Sequence, residues 1–465
     1  MTRVIPASVV VVAAALLLQW SGTAAQTLSG TAAQTPAPAA AVTFNKDVLP
    51  ILQKNCQTCH RPGEIAPFSM LTYQSTRPWA RAMKTAVVSR QMPPWFAEDG
   101  YAHYANDKRL SERDIQTIAA WADSGAAEGD AKDKPAPVAF PDGWNITPDM
   151  IVEMPIAFDV PASGTINYQN FLVKTNFAED TWVVAAEMRP GDPKVVHHMR
   201  ANVRPPTSAF MKEAVPGMPY ENGDKRIGRA EGSIDLLGKF NPGLGDQAFS
   251  EFGAAKFVPK GSDIIFNIHY TAGGAPTTDR SKVGLVFARP GYTPTRRYFV
   301  HNGATASNLA IPPYERNAEV VGELTTQQPM QLAYMQPHMH LRGRDFEMRL
   351  IFPSGETRTV LKGRWDFNWQ LGYDLAEPID LPVGTRIVSI GRFDNSAGNK
   401  FNPDPSRRVL WGDQNWEEMQ NIFIGVLIDP AIDTRTLFKA SGPSLLPRGE
   451  SGPTLSTLLL PPASR

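Results

Sequence analysis

Apolar residues in this chain change their spacing twice, and each change predicts a change of architecture. Behind Arg3, Val9 to Leu18 is an unbroken apolar run. It is too short to span a bilayer and has the length of a signal-peptide h-region, and Thr23-Ala24-Ala25 beyond it supplies small residues for cleavage. From Phe44 to Ala127 apolar positions recur at helical spacing. They include Val48, Leu49 and Leu52, the stretch Ala80 to Val88, and Ile115, Ile118, Ala119, Trp121 and Ala122 behind a cap at Ser111-Glu112-Arg113-Asp114. Beyond Trp144 helical spacing nearly vanishes. Short alternating or β-branched runs bounded by Pro, Gly, Asn and Asp take its place, among them Trp182–Ala186, Asp263–Ile268, Phe346–Ile351 and Asn421–Val426.

This pattern predicts a multidomain chain. The expected order is a signal peptide at 1–25, a flexible tether at 26–42, a small all-α domain at 43–127, a Pro-containing linker at 128–143, two all-β sandwiches at 144–295 and 296–443, and an irregular tail at 444–465. Two sandwiches are expected because roughly 300 residues exceed what one usually holds. A retained N-terminal anchor helix is the alternative to a cleaved signal. Cleavage would leave a periplasmic or secreted, most simply bacterial, protein with no membrane span in the mature chain.

Composition narrows the chemistry. Lys plus Arg and Asp plus Glu both number 46 and are evenly spread, which argues against nucleic acid or an anionic membrane surface as partner. The chain has 2 cysteines, and both lie in Cys56-Gln57-Thr58-Cys59-His60, the attachment pattern of a c-type haem. A zinc site would need a second ligand pair, and the nearest later histidine is His103. A catalytic dithiol would leave His60 unexplained. The helical region 43–127 is therefore expected to be a cytochrome c domain, with Cys56 and Cys59 bound to haem and His60 on the iron. Met92, in Arg90-Gln91-Met92-Pro93-Pro94-Trp95, is the favoured second iron ligand, with Met70, Met83 and His103 as competitors.

Histidines supply the second set of candidates. Of 8 in the chain, five fall in strand-like settings: His197 and His198 before Met199, His269 before Tyr270, and His338-Met339-His340. Imidazole on a β-sandwich is a natural copper ligand. His338 and His340 share a strand face by the period of two, whereas His197 and His198 can meet one metal only where the strand ends or bulges.

The order His-His-Met at 197–199, His-Tyr at 269–270, His-x-His-Leu-x-Gly at 338–343 and Glu-Met at 418–419 resembles the copper type II ascorbate-dependent monooxygenases. That family includes peptidylglycine α-hydroxylating monooxygenase and dopamine β-monooxygenase. The resemblance runs from near Trp144 to near Pro443 and implies two jelly-roll-like sandwiches, each with one copper ion. It implies His197, His198 and His269 at an electron-transfer copper, and His338, His340 and Met419 at an oxygen-activating copper. Gln336 stands where the peptide-amidating members carry a carboxylate-gripping arginine, and Asn421 matches a substrate-contacting position. The expected activity is hydroxylation of a C–H bond of a small organic substrate with O2, with electrons from a periplasmic donor entering through the fused haem. A non-catalytic haem and copper electron relay, or a haem enzyme with accessory sandwiches, are the alternatives.

Overall fold

The computed structural model describes residues 41–140, 143–228, 235–243, 247–306 and 308–440. The expected signal peptide, almost all of the tether and the tail lie outside these residues. Strands dominate, and helices are few and short, the longest being Glu112–Asp123. No helix among the described residues is long and apolar enough to cross a membrane.

Alternation builds the sheets. In the strand Val196–Arg204, Met199, Ala201 and Val203 enter an apolar core, so His198, Arg200 and Asn202 take the opposite face. In Asp263–Tyr270, Ile264, Phe266 and Ile268 face the same core, while Asn267 and His269 alternate with them. These two strands pair antiparallel inside a five-stranded sheet, ordered Pro219–Glu221, Gln169–Val173, Asp263–Tyr270, Val196–Arg204, Asp235–Phe240. A second five-stranded sheet, centred on Gly343–Ile351 and Arg386–Phe393, belongs to the C-terminal half.

A nine-stranded sheet supplies the other layer of both sandwiches. Its N-terminal part, from Met150–Glu153 to Ala254–Val258, shares a core with the first five-stranded sheet. Its C-terminal part, from Arg296–Gly303 to Tyr373–Leu381, shares a core with the second. The two parts join through parallel pairing of Ala254 and Ala255 with Arg296 and Arg297. The halves expected as separate sandwiches thus share one continuous layer. The central strand Asn421–Ile428 is buried along its whole length. Its Ile422, Ile424 and Val426 enter the C-terminal core, and Phe423 meets Leu236 of the N-terminal half on the other side.

The helical region has its own apolar cluster, in which Phe44, Leu49, Leu52, Ile118 and Trp121 are fully or almost fully buried. Ser111 caps the last helix as expected, its hydroxyl accepting from the Asp114 N–H at 3.1 Å. The stretch expected to be all-α is helical only in part. After Pro93-Pro94, Trp95 and Ala97 are buried in the core of the C-terminal half, and backbone bridges join Ala97 to Gly363 and Tyr104 to Leu375. The helix Ala80–Val88 ends where Arg90 turns left-handed at a φ of 56°, and beyond the prolines the aromatic side chains find a larger apolar core to enter. The expected linker is also fixed: Asn45 N–H donates to the Glu128 carbonyl at 2.9 Å and Gln53 Nε2 to that of Ala136 at 2.8 Å.

Candidate metal centre between the two sandwiches

The pairing of Val196–Arg204 with Asp263–Tyr270 slips by one residue at the histidines. His269 pairs with His198 and Tyr270 pairs with Val196, so His197 is the extra residue of a β-bulge. The bulge turns two adjacent histidines toward a common point, which a regular strand forbids. The ligand nitrogens of His197, His198 and His269 all lie within 4.8 Å of one another. Ring centroids are 5.2 Å apart for His197 and His198, and 5.0 Å apart for His198 and His269.

His338 ends its strand and His340 follows in the next turn. Met339 between them is buried in the C-terminal core, so the two imidazoles share the other side, with centroids 5.2 Å apart. Met419, half-buried just before the strand Asn421–Ile428, lines a cavity of about 440 Å³ together with His338, Asn421 and Tyr168. The two histidine groups are adjacent: the rings of His198 and His338 lie 6.2 Å apart in an edge-on arrangement. All five histidines singled out in the sequence form one cluster between the halves.

Their partners were not legible in sequence. Gln370 Oε1 lies 2.8 Å from His338 Nδ1, and the Glu417 carbonyl lies 3.3 Å from His340 Nδ1. Each contact fixes a tautomer and leaves Nε2 as the free ligand atom. Tyr168 stacks on His269 at 4.5 Å and reaches His198 Nε2 with its hydroxyl at 3.1 Å. Glu418 accepts the backbone N–H groups of His340 at 2.8 Å and Arg342 at 2.6 Å, pinning the turn after the His-x-His pair. Gln336 is buried and does not line the cavity. Its amide accepts from Lys239 Nζ at 2.8 Å and donates to the Gln370 carbonyl at 2.8 Å. Asn421 does line it, with its side-chain oxygen buried and without a partner.

The cluster fits a soft or borderline metal cation. Both ring nitrogens of His197, Nδ1 of His198 and Nε2 of His340 are buried with no hydrogen-bond partner. Each such atom costs about 1–3 kcal/mol unless something coordinates it. Burial holds the imidazoles of His197 and His340 down to about 4 and that of His269 down to about 3. His198 and His338 lie well below the ordinary histidine range for the same reason, reinforced by neighbouring imidazoles. All five rings are therefore neutral near pH 7, the form that binds metal.

At the N-terminal motif, His60 Nδ1 lies 3.2 Å from the Phe68 carbonyl, leaving Nε2 available to an iron. Cys56 and Cys59 are free thiols, and burial, with Cys59 beside it, pushes Cys56 up to about 12. A thiol held so high is a poor redox nucleophile, which disfavours a catalytic dithiol. The residues fit a covalently held haem. A cavity of about 460 Å³ opens beside Thr58 and Cys59 and reaches Lys239, Tyr334 and Asp374 of the sandwiches. Met70 and Met83 are buried in the helical core, whereas Met92 is half-buried and its N–H is tied to the Ala86 carbonyl. His103 is exposed, with its carbonyl accepting from Ala376 N–H at 2.9 Å.

No protein-family model matches the sequence, and no curated protein matches it. Among solved structures, similarity is found to the STIV MCP, at 8% identity over 60% of this chain and 97% of that one, with a TM-score of 0.27. A peptide-N(4)-(N-acetyl-β-D-glucosaminyl) asparagine amidase is similar at 7% identity over 60% and 98% of the two chains, with a TM-score of 0.25. Likeness this low bears on neither activity nor ligand.

Proposed function

We propose that this protein is an exported copper-dependent monooxygenase that hydroxylates a C–H bond of a small organic substrate with O2, drawing electrons through a c-type haem on Cys56, Cys59 and His60. The observation that carries the reading is the meeting of five histidines from two sandwiches, four of them buried and His197 half-buried, with four ring nitrogens lacking partners, beside a cavity lined by His338 and Met419. His197, His198 and His269 would hold one copper ion, and His338, His340 and Met419 the other. Copper in such ligand sets supplies electron transfer and oxygen activation, and a thioether favours the reduced ion that meets oxygen. The chain's own part is to keep the imidazoles neutral by burial, to fix the tautomers of His338 and His340 through Gln370 and Glu417, and to hold substrate in the adjoining cavity away from bulk water. Met92 would be the second iron ligand, a choice supported by the packing of Met70 and Met83 in the helical core. Family membership in the copper type II ascorbate-dependent group, jelly-roll-like topology and a cytochrome c domain belong to the same proposal.

The cavity favours this reading over a bare electron relay, which has no use for a substrate chamber. Metal analysis with Cu(II) EPR on haem-loaded protein tests it, and one haem with two type-2 coppers is expected. Absence of copper sinks the proposal, and copper with no oxygen uptake coupled to a product leaves the relay.

A further inference from the structure

The cavity beside His338 has a polar lining that the metal ligands do not use. Arg200 stands two residues beyond His198 on the same strand face and is half-buried in the cavity wall. Its guanidinium carbon lies 4.5 Å from the centroid of the Phe423 ring. Among the described residues its side chain has neither a hydrogen-bond acceptor nor an ion pair. Arginine keeps its charge inside proteins. A half-buried cation with no ion pair can take an anion from the cavity, and a guanidinium over an aromatic ring keeps N–H groups free to grip a planar one.

A second, independent observation comes from the strand opposite. Asn421 is 6% exposed, and its Oδ1 is buried and unpartnered while the residue lines the cavity. That oxygen awaits an O–H or N–H donor. Asp413 lines the same cavity, contacted by Asn222 Nδ2 at 3.5 Å, and burial raises its carboxyl above the ordinary range. It makes no direct ion pair with Arg200 but its charge acts on that guanidinium across the cavity, which disfavours ligands with more than one negative charge.

We propose that the cavity binds a small monocarboxylate bearing a hydroxyl or amino donor, the carboxylate on Arg200 and the donor on Asn421 Oδ1. Calling this ligand the substrate rests on the function proposed above; the binding itself needs no metal.

Calorimetric titration of the haem-loaded protein, before and after copper removal by chelator, with mandelate and with uncharged mandelamide tests the assignment. Mandelate is expected to bind in both forms, and mandelamide about tenfold or more weaker, as loss of a charge-assisted contact dictates. Arg200→Met should erase the preference and Arg200→Lys keep part of it, with thermal melting and the haem spectrum showing that both variants fold. Asn421→Val should weaken mandelate but leave phenylacetate, which lacks the hydroxyl, unchanged. Equal binding of acid and amide, an unaltered preference in Arg200→Met, no mandelate binding at all, or inorganic phosphate competing as well as mandelate overturns the assignment. Copper content is read separately, so a protein that binds copper but not mandelate loses only the ligand, and one that binds mandelate without copper loses only the metal reading.

Discussion

At His338, the amide oxygen of Gln370 lies 2.8 Å from Nδ1 and so decides which nitrogen would face the proposed metal. Replacing it as Gln370→Leu should lower metal affinity at that centre by about 10–100-fold without unfolding the protein, read by competition with a chromophoric chelator. His301, outside the proposed ligand set, is a useful contrast: it stacks on Phe438 at 4.6 Å, and burial holds it down to about 4. Its unfolded pKa near 6.5 is higher, so between those values the unfolded chain binds more protons and stability falls as pH drops. His301→Phe should remove up to about 3 kcal/mol of that loss between pH 6.5 and 4, measured as urea midpoints along the pH series in metal-free protein. The candidate ligands were legible because cysteine, histidine and methionine at short spacings carry their chemistry in the sequence. Gln370, Tyr168 and Arg200 were not, since an ordinary polar residue acquires meaning only from the strand that lands beside it.

Elements were legible where one period sufficed. Asn421–Ile428 reads as a buried strand from its apolar run, and Glu112–Asp123 as a helix from its cap and stripe. Sequence stated the condition for His197 and His198, and the register slip meets it. The docking of 95–106 escaped, because its partners lie more than two hundred residues away. A Cβ on Gly363 would sit 2.3 Å from the Phe96 carbonyl oxygen where that segment crosses the sheet. Backbone cannot give way as a side chain tip does, so Gly363→Ala should cost about 1–3 kcal/mol and loosen the segment, seen as a lower melting point and faster amide exchange at Ala97 and Glu98.

Across the whole molecule, one buried ion pair braces the join. Lys256 Nζ lies 2.7 Å from Asp235 Oδ1, both side chains are nearly inaccessible, and the same oxygen accepts from the Val300 N–H at 3.3 Å. Lys256→Met strands a buried carboxylate and should destabilise by about 3–5 kcal/mol, whereas adding Asp235→Leu should recover most of it, measured by chemical denaturation. Sequence placed a domain boundary in the β region near residue 295, where one nine-stranded sheet runs across. It could not reveal the parallel seam at Ala254 and Arg296, because parallel pairing joins segments with no turn between them to announce it. That seam also bears on inheritance. A gene fragment encoding either half, moved into another protein, would arrive with its sheet torn along one side and with an incomplete set of imidazoles. The two halves are therefore expected to be inherited as a single unit, since a lineage that kept one would have to rebuild the missing edge before the fragment could stand alone.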